Sequence, residues 1–146
     1  MGDDLGGAVR TLARLSRLLE ASDAGITLPQ YRMLATLNEG GFRAARLAER
    51  LAIRKPTATA LADGLVAAGY AERESEDGDR RIVRLLITDA GRVALAHAEE
   101  VYRERLRPLF DELRDEKRFL ADLRVVGAAL DARLRDVKVG EKAVHG

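Results

Sequence analysis

Residues 82–87, Ile-Val-Arg-Leu-Leu-Ile, alternate in a way that only a strand explains well. Val83, Leu85 and Ile87 occupy every second position and are apolar and branched, as in a strand with one buried face. Most other apolar residues of the chain recur at steps of three and four, which is the spacing of helices. The sequence therefore predicts a small β element inside a mainly helical protein.

A shorter, polar strand candidate precedes this strand and predicts a β-hairpin. It is the run Glu72-Arg73-Glu74. The connection from Ser75 to Asp79 is predicted to be too long for a two-residue turn, and Gly78 supplies the positive φ that such loops commonly need. The hairpin would project Arg80 and Arg81 from its tip.

The remaining apolar residues predict six helices. Their apolar stripes run over Leu5–Leu19, Tyr31–Leu37, Leu47–Leu51, Ala58–Ala68, Val93–Leu113 and Phe119–Val137. Thr27 and Gln30 have the spacing of a capping box at the start of the second helix, and Thr88 is placed to cap the fifth. Gly69 follows the fourth helix, where a left-handed C-cap belongs.

The order of these elements predicts the fold class. The fold is mainly α with a small β-hairpin, in which a winged helix-turn-helix at residues 27–91 is flanked by N- and C-terminal helices. In such a motif the short helix Ala44–Leu51 braces a second helix starting at Pro56. The N-terminal residues of that second helix enter the DNA major groove, and the hairpin reaches the adjacent minor groove.

The distribution of charge points to the same surface. Lys+Arg 25 against Asp+Glu 24 give a formal net charge of only +1 over 146 residues, which by itself says nothing about nucleic acid. From position 43 to 56, however, Glu49 is the sole acid among five basic residues: Arg43, Arg46, Arg50, Arg54 and Lys55. This local basic stretch favours DNA binding by the helix-turn-helix.

Cysteine and membrane signals are missing from the sequence. A chain with no Cys has no disulfides, thiolate zinc sites or thiol redox chemistry. No apolar run approaches the roughly 20 residues of a membrane span, and the first residues lack the order of a secretory signal. We therefore expect a cytoplasmic protein with no membrane partner.

Four parts of the sequence together match a known pattern. They are Thr27-Leu28-Pro29-Gln30-Tyr31, Leu47-Ala48-Glu49-Arg50-Leu51, Arg54-Lys55-Pro56-Thr57-Ala58-Thr59, and Asp79-Arg80-Arg81 with Thr88-Asp89-Ala90-Gly91. The last is the most specific, because a Thr-x-x-Gly follows nine residues after the Asp. On these residues the chain resembles the MarR-type family (multiple antibiotic resistance regulator) of winged helix-turn-helix transcriptional regulators over nearly its whole length.

The resemblance implies a homodimer joined by the first helix and the last two, at residues 1–22 and 89–138. It also implies a repressor that binds a pseudo-palindromic double-stranded DNA operator and responds to a small-molecule effector, with no cofactor. Apolar stripes independently favour a dimer, because they exceed what one thin winged domain can cover. They comprise Leu5, Val9 and Leu12 on the first helix, and Leu123, Val126, Leu130 and Leu134 on the last.

Two groups of residues are predicted to contact DNA. Arg54 and Lys55 can reach phosphates or guanine edges, whereas Thr57 and Thr59, just after Pro56, can reach only groups close to the helix. In the wing, Arg81 with Arg80 is predicted to enter a minor groove, while Gly78 and Asp79 set the bend that aims it. The predicted DNA contacts are thus Arg54, Lys55, Pro56, Thr57, Thr59, Arg80 and Arg81.

The chain departs from the family it resembles at two positions of the recognition helix. Members often carry an arginine or another long polar residue where this chain has Ala60, and commonly another at Gly64. These departures put base readout through those positions in question. They also suit the main alternative function, a winged-helix module that binds protein rather than DNA.

Other interpretations compete at individual residues. Arg80 and Arg81 would also be explained by a solvated turn in which they pair with Asp77 and Asp79. Thr57 would also be explained as a helix-start residue that bonds only the backbone, and the same holds for Thr59.

Enzymatic and metal-binding functions find no support in the sequence. The two histidines, His97 and His145, lie in no nucleophile, acid-base or metal motif. We therefore predict a protein that is not an enzyme and needs no metal. If the chain follows the family, an effector would lodge between the helical and winged parts. There Tyr31, Tyr70, His97 and Tyr102 offer ring faces or polar tips, although ordinary packing is the favoured explanation of each of them.

Overall fold

The computed structural model describes the backbone of residues 4–76 and 78–144, and the side chains of these ranges up to residue 134. It contains, in chain order, α1 (Asp4–Glu20), α2 (Leu28–Leu37), β1 (Phe42–Arg43), α3 (Ala44–Leu51), α4 (Lys55–Ala67), β2 (Ala71–Glu76), β3 (Asp79–Ile87), α5 (Asp89–Phe110) and α6 (Glu116–Val144). The strands form one antiparallel sheet in the order β1-β3-β2. The mainly helical winged helix-turn-helix predicted from the sequence is confirmed.

Side-chain caps define the starts of three helices. At α2, Thr27 Oγ1 accepts a hydrogen bond from the Gln30 N–H at 3.2 Å, and Gln30 Oε1 accepts one from the Thr27 N–H at 2.9 Å. This is the predicted capping box. At α5, Thr88 Oγ1 accepts from the Gly91 N–H at 3.0 Å, and at α6, Asp115 Oδ1 accepts from the Arg118 N–H at 3.0 Å.

The core lies between the helix-turn-helix and the sheet. Its largest fully buried side chains are Met33, Leu34, Leu37, Leu47 and Leu65. Leu47, Ala48 and Leu51 face inward from α3, as their spacing predicts. Met33 and Ala62 are also buried, although the predicted stripes rest on their neighbours Leu34 and Leu61.

The hairpin differs from the sequence prediction at its turn. Glu76 pairs with Asp79, so only positions 77 and 78 separate the strands, and the expected longer connection is wrong. The extra length lies in β3 instead. The pairing passes from Ser75↔Val83 directly to Glu76↔Asp79, so residues 80–82 bulge out of the ladder. Gly78 has the predicted positive φ, at 72°.

Fewer residues of β3 face the core than predicted. Leu85 and Ile87 are buried, whereas Val83 is exposed because it borders the bulge, beyond the reach of the core. On the other edge of β3, Phe42 and Arg43 pair with Leu85 and Arg84 and form the third strand. A two-residue strand has no periodicity, so the sequence could not reveal it.

A tight joint connects the end of α4 with the start of α5. Gly69 has φ 80°, the predicted left-handed C-cap. The Tyr70 carbonyl accepts from the Thr88 N–H at 3.1 Å, while Thr88 Oγ1 donates to the Gly69 carbonyl at 2.7 Å. A Cβ at Gly91 would lie 2.0 Å from the Tyr70 oxygen, so only glycine fits there. The Thr-x-x-Gly motif, from Thr88 to Gly91, therefore supplies the residues at the start of α5 that form this joint.

The two long helices end at other positions than the sequence indicates: α5 ends at Phe110, short of the predicted Leu113, and α6 extends past the predicted Val137. Pro108 lies inside α5, which continues to Phe110. Pro108 has no N–H to donate to the carbonyl of residue 104, and the helix ends two residues after it. Phe110 then packs edge-to-face on Phe119 across the turn into α6, with ring centroids 5.4 Å apart. α6 continues to Val144, and the predicted apolar position Val137 lies outside the described side chains.

None of the helices in the described ranges is long and apolar enough to cross a membrane.

Candidate nucleic-acid interface

The start of α4 combines two cations with an open helix terminus. Arg54 is the N-cap and makes no side-chain capping hydrogen bond, and Lys55, Pro56 and Thr57 form the first turn. All four are exposed. The N–H groups of a first turn carry the positive end of the helix dipole, so an uncapped start bearing cations suits a phosphate group.

Folding brings acids to the basic stretch that are not visible as neighbours in the sequence. Arg43 Nη2 lies 2.6 Å from Glu76 Oε2, Arg50 pairs with Glu39, and Arg46 Nη1 lies 3.6 Å from Glu49 Oε2. The expectation that Glu49 is the only acid facing this stretch is therefore wrong. Glu39 lies four residues before the stretch, and Glu76 comes from the wing.

Fewer cations of this stretch are consequently unpaired than the sequence indicates. Within the described residues, Arg54 and Lys55 have no ion-pair partner, and neither has Arg80. Among the basic residues of this stretch and of the wing tip, those left to attract an anion thus lie at the start of α4 and at the tip of the wing.

At the wing tip, Arg81 and Asp79 form a compact pair. Asp79 Oδ1 accepts from the Arg81 backbone N–H at 3.0 Å and from Nε at 3.1 Å, and Asp79 Oδ2 accepts from Nη2 at 3.2 Å. The side-chain hydrogen bonds, and then the backbone one, lower the pKa of Asp79. The Arg81 side chain is nevertheless 90% exposed. Asp77, the other acid considered for the turn, lies outside the described residues.

The wing and the recognition helix are held together by an ion pair that the sequence did not reveal. Arg73 on β2 donates to Asp63 on α4. The two residues are ten positions apart, and neither helical nor strand periodicity predicts a contact at that separation. Because the pair joins the two elements predicted to contact DNA, it helps to fix the wing relative to α4.

The other exposed side chains on the outer surface of α4 are small. Thr59 and Ala60 are exposed, and Ala58 is buried. Gly64 is partly buried, and a Cβ there would lie 3.7 Å from Gln30 Nε2, an ordinary contact. Close packing within the chain is therefore not the reason for this glycine.

The four candidate ligand residues fall into two pairs. Tyr31 and Tyr102 pack edge-to-face, with ring centroids 5.0 Å apart, and the Tyr31 hydroxyl donates to Glu99 Oε1 at 3.2 Å. Burial and the nearby Glu99 carboxylate raise the pKa of Tyr31 to about 12. This hydrogen bond joins α2 to α5 across 68 positions, and nothing in the sequence signals it.

Tyr70 and His97 form the second pair, in a cavity of about 400 Å³ between the α1–α2 loop and the first half of α5. Its other lining residues are small or apolar: Ala24, Gly25, Ile26, Ala90, Val93 and Ala94. Tyr31 and Tyr102 do not line it. In the part of the chain that the structure describes, no cluster of His, Cys, Asp and Glu could hold a metal ion.

Exposed apolar side chains cover one side of the first and last helices. None of the α1 residues is buried, and Leu5 is 79% exposed, with Val9 and Leu12 also exposed. On α6, Leu123, Val126 and Leu130 are exposed along the predicted stripe.

Comparisons with known proteins agree with this architecture. Residues 24–82 match the MarR family model. The chain is 33% identical over 128 residues to an HTH-type transcriptional regulator of Mycobacterium leprae, an alignment covering 84% of this chain and 89% of that protein.

Two solved structures have the same fold. CouR from Rhodococcus jostii, bound to p-coumaroyl-CoA, superposes with a TM-score of 0.72 at 19% identity, covering 88% of this chain and 92% of CouR. A mutant of MarR from E. coli, complexed with operator DNA, superposes with a TM-score of 0.67 at 21% identity, covering 86% and 92%. The relatives are transcriptional regulators rather than enzymes, and this chain belongs to the MarR family of winged helix-turn-helix transcriptional regulators.

Proposed function

We propose that the chain is a homodimeric repressor that binds a pseudo-palindromic DNA operator and is released by a small-molecule effector. Within the described residues, the basic stretch and the wing tip keep unpaired cations at two places, and this observation carries the proposal. Arg54 and Lys55 lie at an uncapped helix start, and Arg80 lies beside Arg81 at the wing tip. These are the two places where a winged helix-turn-helix meets the major and minor grooves.

The division of roles follows from reach. Arg54 and Lys55 are long enough to bind phosphates beside the major groove, and the start of α4 adds its N–H groups to the same anion. Arg81, held out by the bulge of β3 and aimed by Asp79, enters the minor groove with Arg80 beside it. Thr57 and Thr59 are short and contact only groups that lie close to the helix.

The exposed apolar faces of α1 and α6 support the dimer. Water-exposed leucines and valines at a helical spacing on two separate helices are costly unless a second surface covers them. A two-fold dimer would place two copies of α4 about 34 Å apart, one turn of DNA, so the operator is an inverted repeat. The proposed repression consists in occupying an operator that overlaps a promoter, where the bound dimer would exclude RNA polymerase.

The cavity between Tyr70 and His97 is the effector site of this proposal. It is mostly apolar, with one phenol and one imidazole as polar groups, and suits an apolar molecule with few hydrogen-bonding atoms. It lies against the joint between α4 and α5, because Tyr70 contributes its ring to the cavity and its carbonyl to Thr88. The ligand seen in CouR shows that a related fold accommodates an aromatic acyl thioester.

Salt-dependent binding to DNA tests the proposal. We expect the purified protein to bind a duplex from the region upstream of its own gene, measured by fluorescence anisotropy at salt concentrations from about 50 to about 200 mM. If the four cations of each protomer contact phosphates, the logarithm of affinity falls against the logarithm of salt concentration with a slope of about −7. A protein that binds no duplex, or binds without salt dependence, would instead be a protein-interaction module.

The dimer has its own test with a matched pair of variants. Val126 and Val125 are neighbours on α6, 56% and 68% exposed, but only Val126 lies on the stripe with Leu123 and Leu130. Val126→Asp should shift the protein from dimer to monomer in sedimentation velocity at micromolar concentration, because it buries a charge in the interface. Val125→Asp should leave the dimer intact. Equal behaviour of the two variants would place the interface elsewhere.

A further inference from the structure

The outer surface of α4 lacks the side chains that usually read base edges. Bidentate readout of guanine or adenine needs Arg, Lys, Asn or Gln in the groove. After Lys55 at the first helical position, α4 has no such side chain through to its last residue, Ala67. The exposed residues of its first two turns after Lys55 are Pro56, Thr57, Thr59 and Ala60.

The one charged residue further along α4 is already engaged. Asp63 could accept a hydrogen bond from the amino group of cytosine, but it is bound by Arg73 of the wing strand. Ala60 and Gly64 lie three and seven positions after Thr57, on the same face of the helix, and neither has a side chain longer than a methyl group. The structure shows no need for a small residue at Gly64, since a Cβ there meets only an ordinary contact.

A helix surface of this kind can approach the groove closely. With Thr57 and Ala60 as its central exposed side chains, the groups facing the bases are methyl groups and one hydroxyl. The base-edge group that matches a methyl group is the C5-methyl of thymine, which lies in the major groove.

We infer that the recognition helix reads its operator chiefly through thymine methyl groups packed against Ala60 and Thr57, and not through bidentate hydrogen bonds. The inference rests on the proposed DNA-binding function. Arg54 and Lys55 supply affinity from the phosphates, and the methyl contacts supply the sequence preference. The preferred half-site therefore contains at least one thymine under the second turn of α4.

Replacing thymine by uracil removes this methyl group and leaves the Watson–Crick edge unchanged. A duplex is first selected by the protein from a randomised pool, and each thymine of the half-site is then replaced by deoxyuridine in both half-sites together. Burial of one methyl group contributes about 0.8 kcal/mol, roughly a fourfold change in affinity, so a symmetric pair should cost about fifteenfold. We expect this loss at one or two positions.

The variant Ala60→Gly completes the test. It removes the protein methyl group, so the ratio of thymine to uracil affinity should fall toward one at the position Ala60 contacts. The ratio is measured within each variant, so any general loss of affinity cancels. Thr57→Ser, which removes the threonine methyl and keeps the hydroxyl, should do the same at its own position.

The outcomes separate the inference from the function on which it rests. If the pool yields no enriched duplex and binding shows no salt dependence, the DNA-binding function fails. If a duplex is bound with a steep salt dependence but every uracil substitution changes affinity by less than about twofold, the function stands and the thymine readout is wrong. An equal thymine preference in wild type, Ala60→Gly and Thr57→Ser would also overturn it.

Discussion

The helices of this protein begin in two different ways. α2, α5 and α6 start with side chains that bond their own first turns: Thr27, Thr88 and Asp115. α3 and α4, the two helices of the helix-turn-helix, both start at an arginine without a side-chain capping bond, Arg43 and Arg54. The capped helices support the fold, whereas the uncapped ones form the surface proposed to face DNA.

The absence of a cap has a cost in stability that a nearby negative charge can offset. An arginine cannot accept a hydrogen bond from a first turn, and its charge is unfavourable at the positive end of a helix dipole. Each uncapped start therefore gives up about 1 kcal/mol of stability relative to a Ser, Thr or Asp cap. At α3 the Glu76 carboxylate neutralises Arg43. At α4 nothing in the described part of the chain does so for Arg54.

The largest expected effect is at the start of α5, where the fit is tightest. Gly91→Ala would place a methyl group 2.0 Å from the Tyr70 carbonyl oxygen and 2.8 Å from Ile87 Cγ1. We expect the free energy of unfolding, measured by chemical denaturation, to fall by about 3 kcal/mol. A loss below about 0.5 kcal/mol would mean that the joint between α4 and α5 relaxes easily.

The difference between capped and uncapped helices is tested directly by giving α4 a capping side chain. Arg54→Asp supplies an acceptor and a negative charge at the helix start, so the free energy of unfolding should rise by about 1 kcal/mol. Affinity for a selected duplex should fall on the order of a hundredfold, because each protomer exchanges a phosphate-binding cation for an anion. The control, Thr88→Ala, should lower stability by about 1 kcal/mol and leave the salt slope of binding unchanged. Unchanged DNA affinity in Arg54→Asp would remove the start of α4 from the interface.

Two substitutions of Asp79 distinguish the effect of the wing's shape on DNA binding from the effect of its charge. Asp79 lowers the net positive charge of the tip but also accepts the Arg81 backbone N–H. Asp79→Asn keeps an oxygen acceptor, so it should bind DNA at least as tightly as wild type. Asp79→Ala loses the bend and should bind about tenfold more weakly, although it removes the same charge. Arg81→Ala should reduce the magnitude of the salt slope by about one for each protomer. Tighter binding by Asp79→Ala would show that the pair is only a solvated turn.

The pKa of Asp79 fixes the pH range of this experiment. The Arg81 hydrogen bonds lower the pKa of Asp79 in the folded protein. A depressed pKa means that the stabilisation is fully present above the ordinary pKa of an aspartate and is lost as the pH falls through the lowered value. Measurements near neutral pH therefore compare wings in which the pair is complete.

The smallest expected effect is a gain in stability. Gly64 lies in the interior of α4 and has room for a methyl group, so Gly64→Ala should raise the free energy of unfolding by about 0.5–1 kcal/mol. A parallel DNA-binding measurement sharpens the result. If the methyl group stabilises the protein but weakens DNA binding, the glycine is kept for the approach of DNA. A destabilised variant would contradict the contact geometry.

Local patterns predicted most of the fold. The capping box at Thr27 and Gln30, the cap at Thr88 and the C-cap at Gly69 are all confirmed, because each depends on residues only a few positions apart. The strand at Phe42 was missed since two residues carry no pattern. The turn of the hairpin was wrong because a bulge in one strand and a longer loop look the same in a sequence.

The site was less predictable, because its electrostatics depend on distant partners. The basic stretch looked uniformly positive until the fold brought Glu39 and Glu76 to Arg50 and Arg43. The sequence correctly indicated an Asp79–Arg81 partnership, since these residues are two apart and a turn joins them. It could not indicate the Asp63–Arg73 pair. Whether the named residues contact DNA stays a prediction.

One residue in the turn of the helix-turn-helix has a further consequence. Ala52 lies between α3 and α4 with φ 54°, a left-handed conformation that usually belongs to glycine. A glycine there would relieve strain, but it would also let the turn sample other angles. Alanine has few alternatives, so it restricts the angle between α3 and α4. A helix pair held at one angle loses little conformational entropy on binding DNA. Sliding along non-matching DNA would then require no refolding at each step.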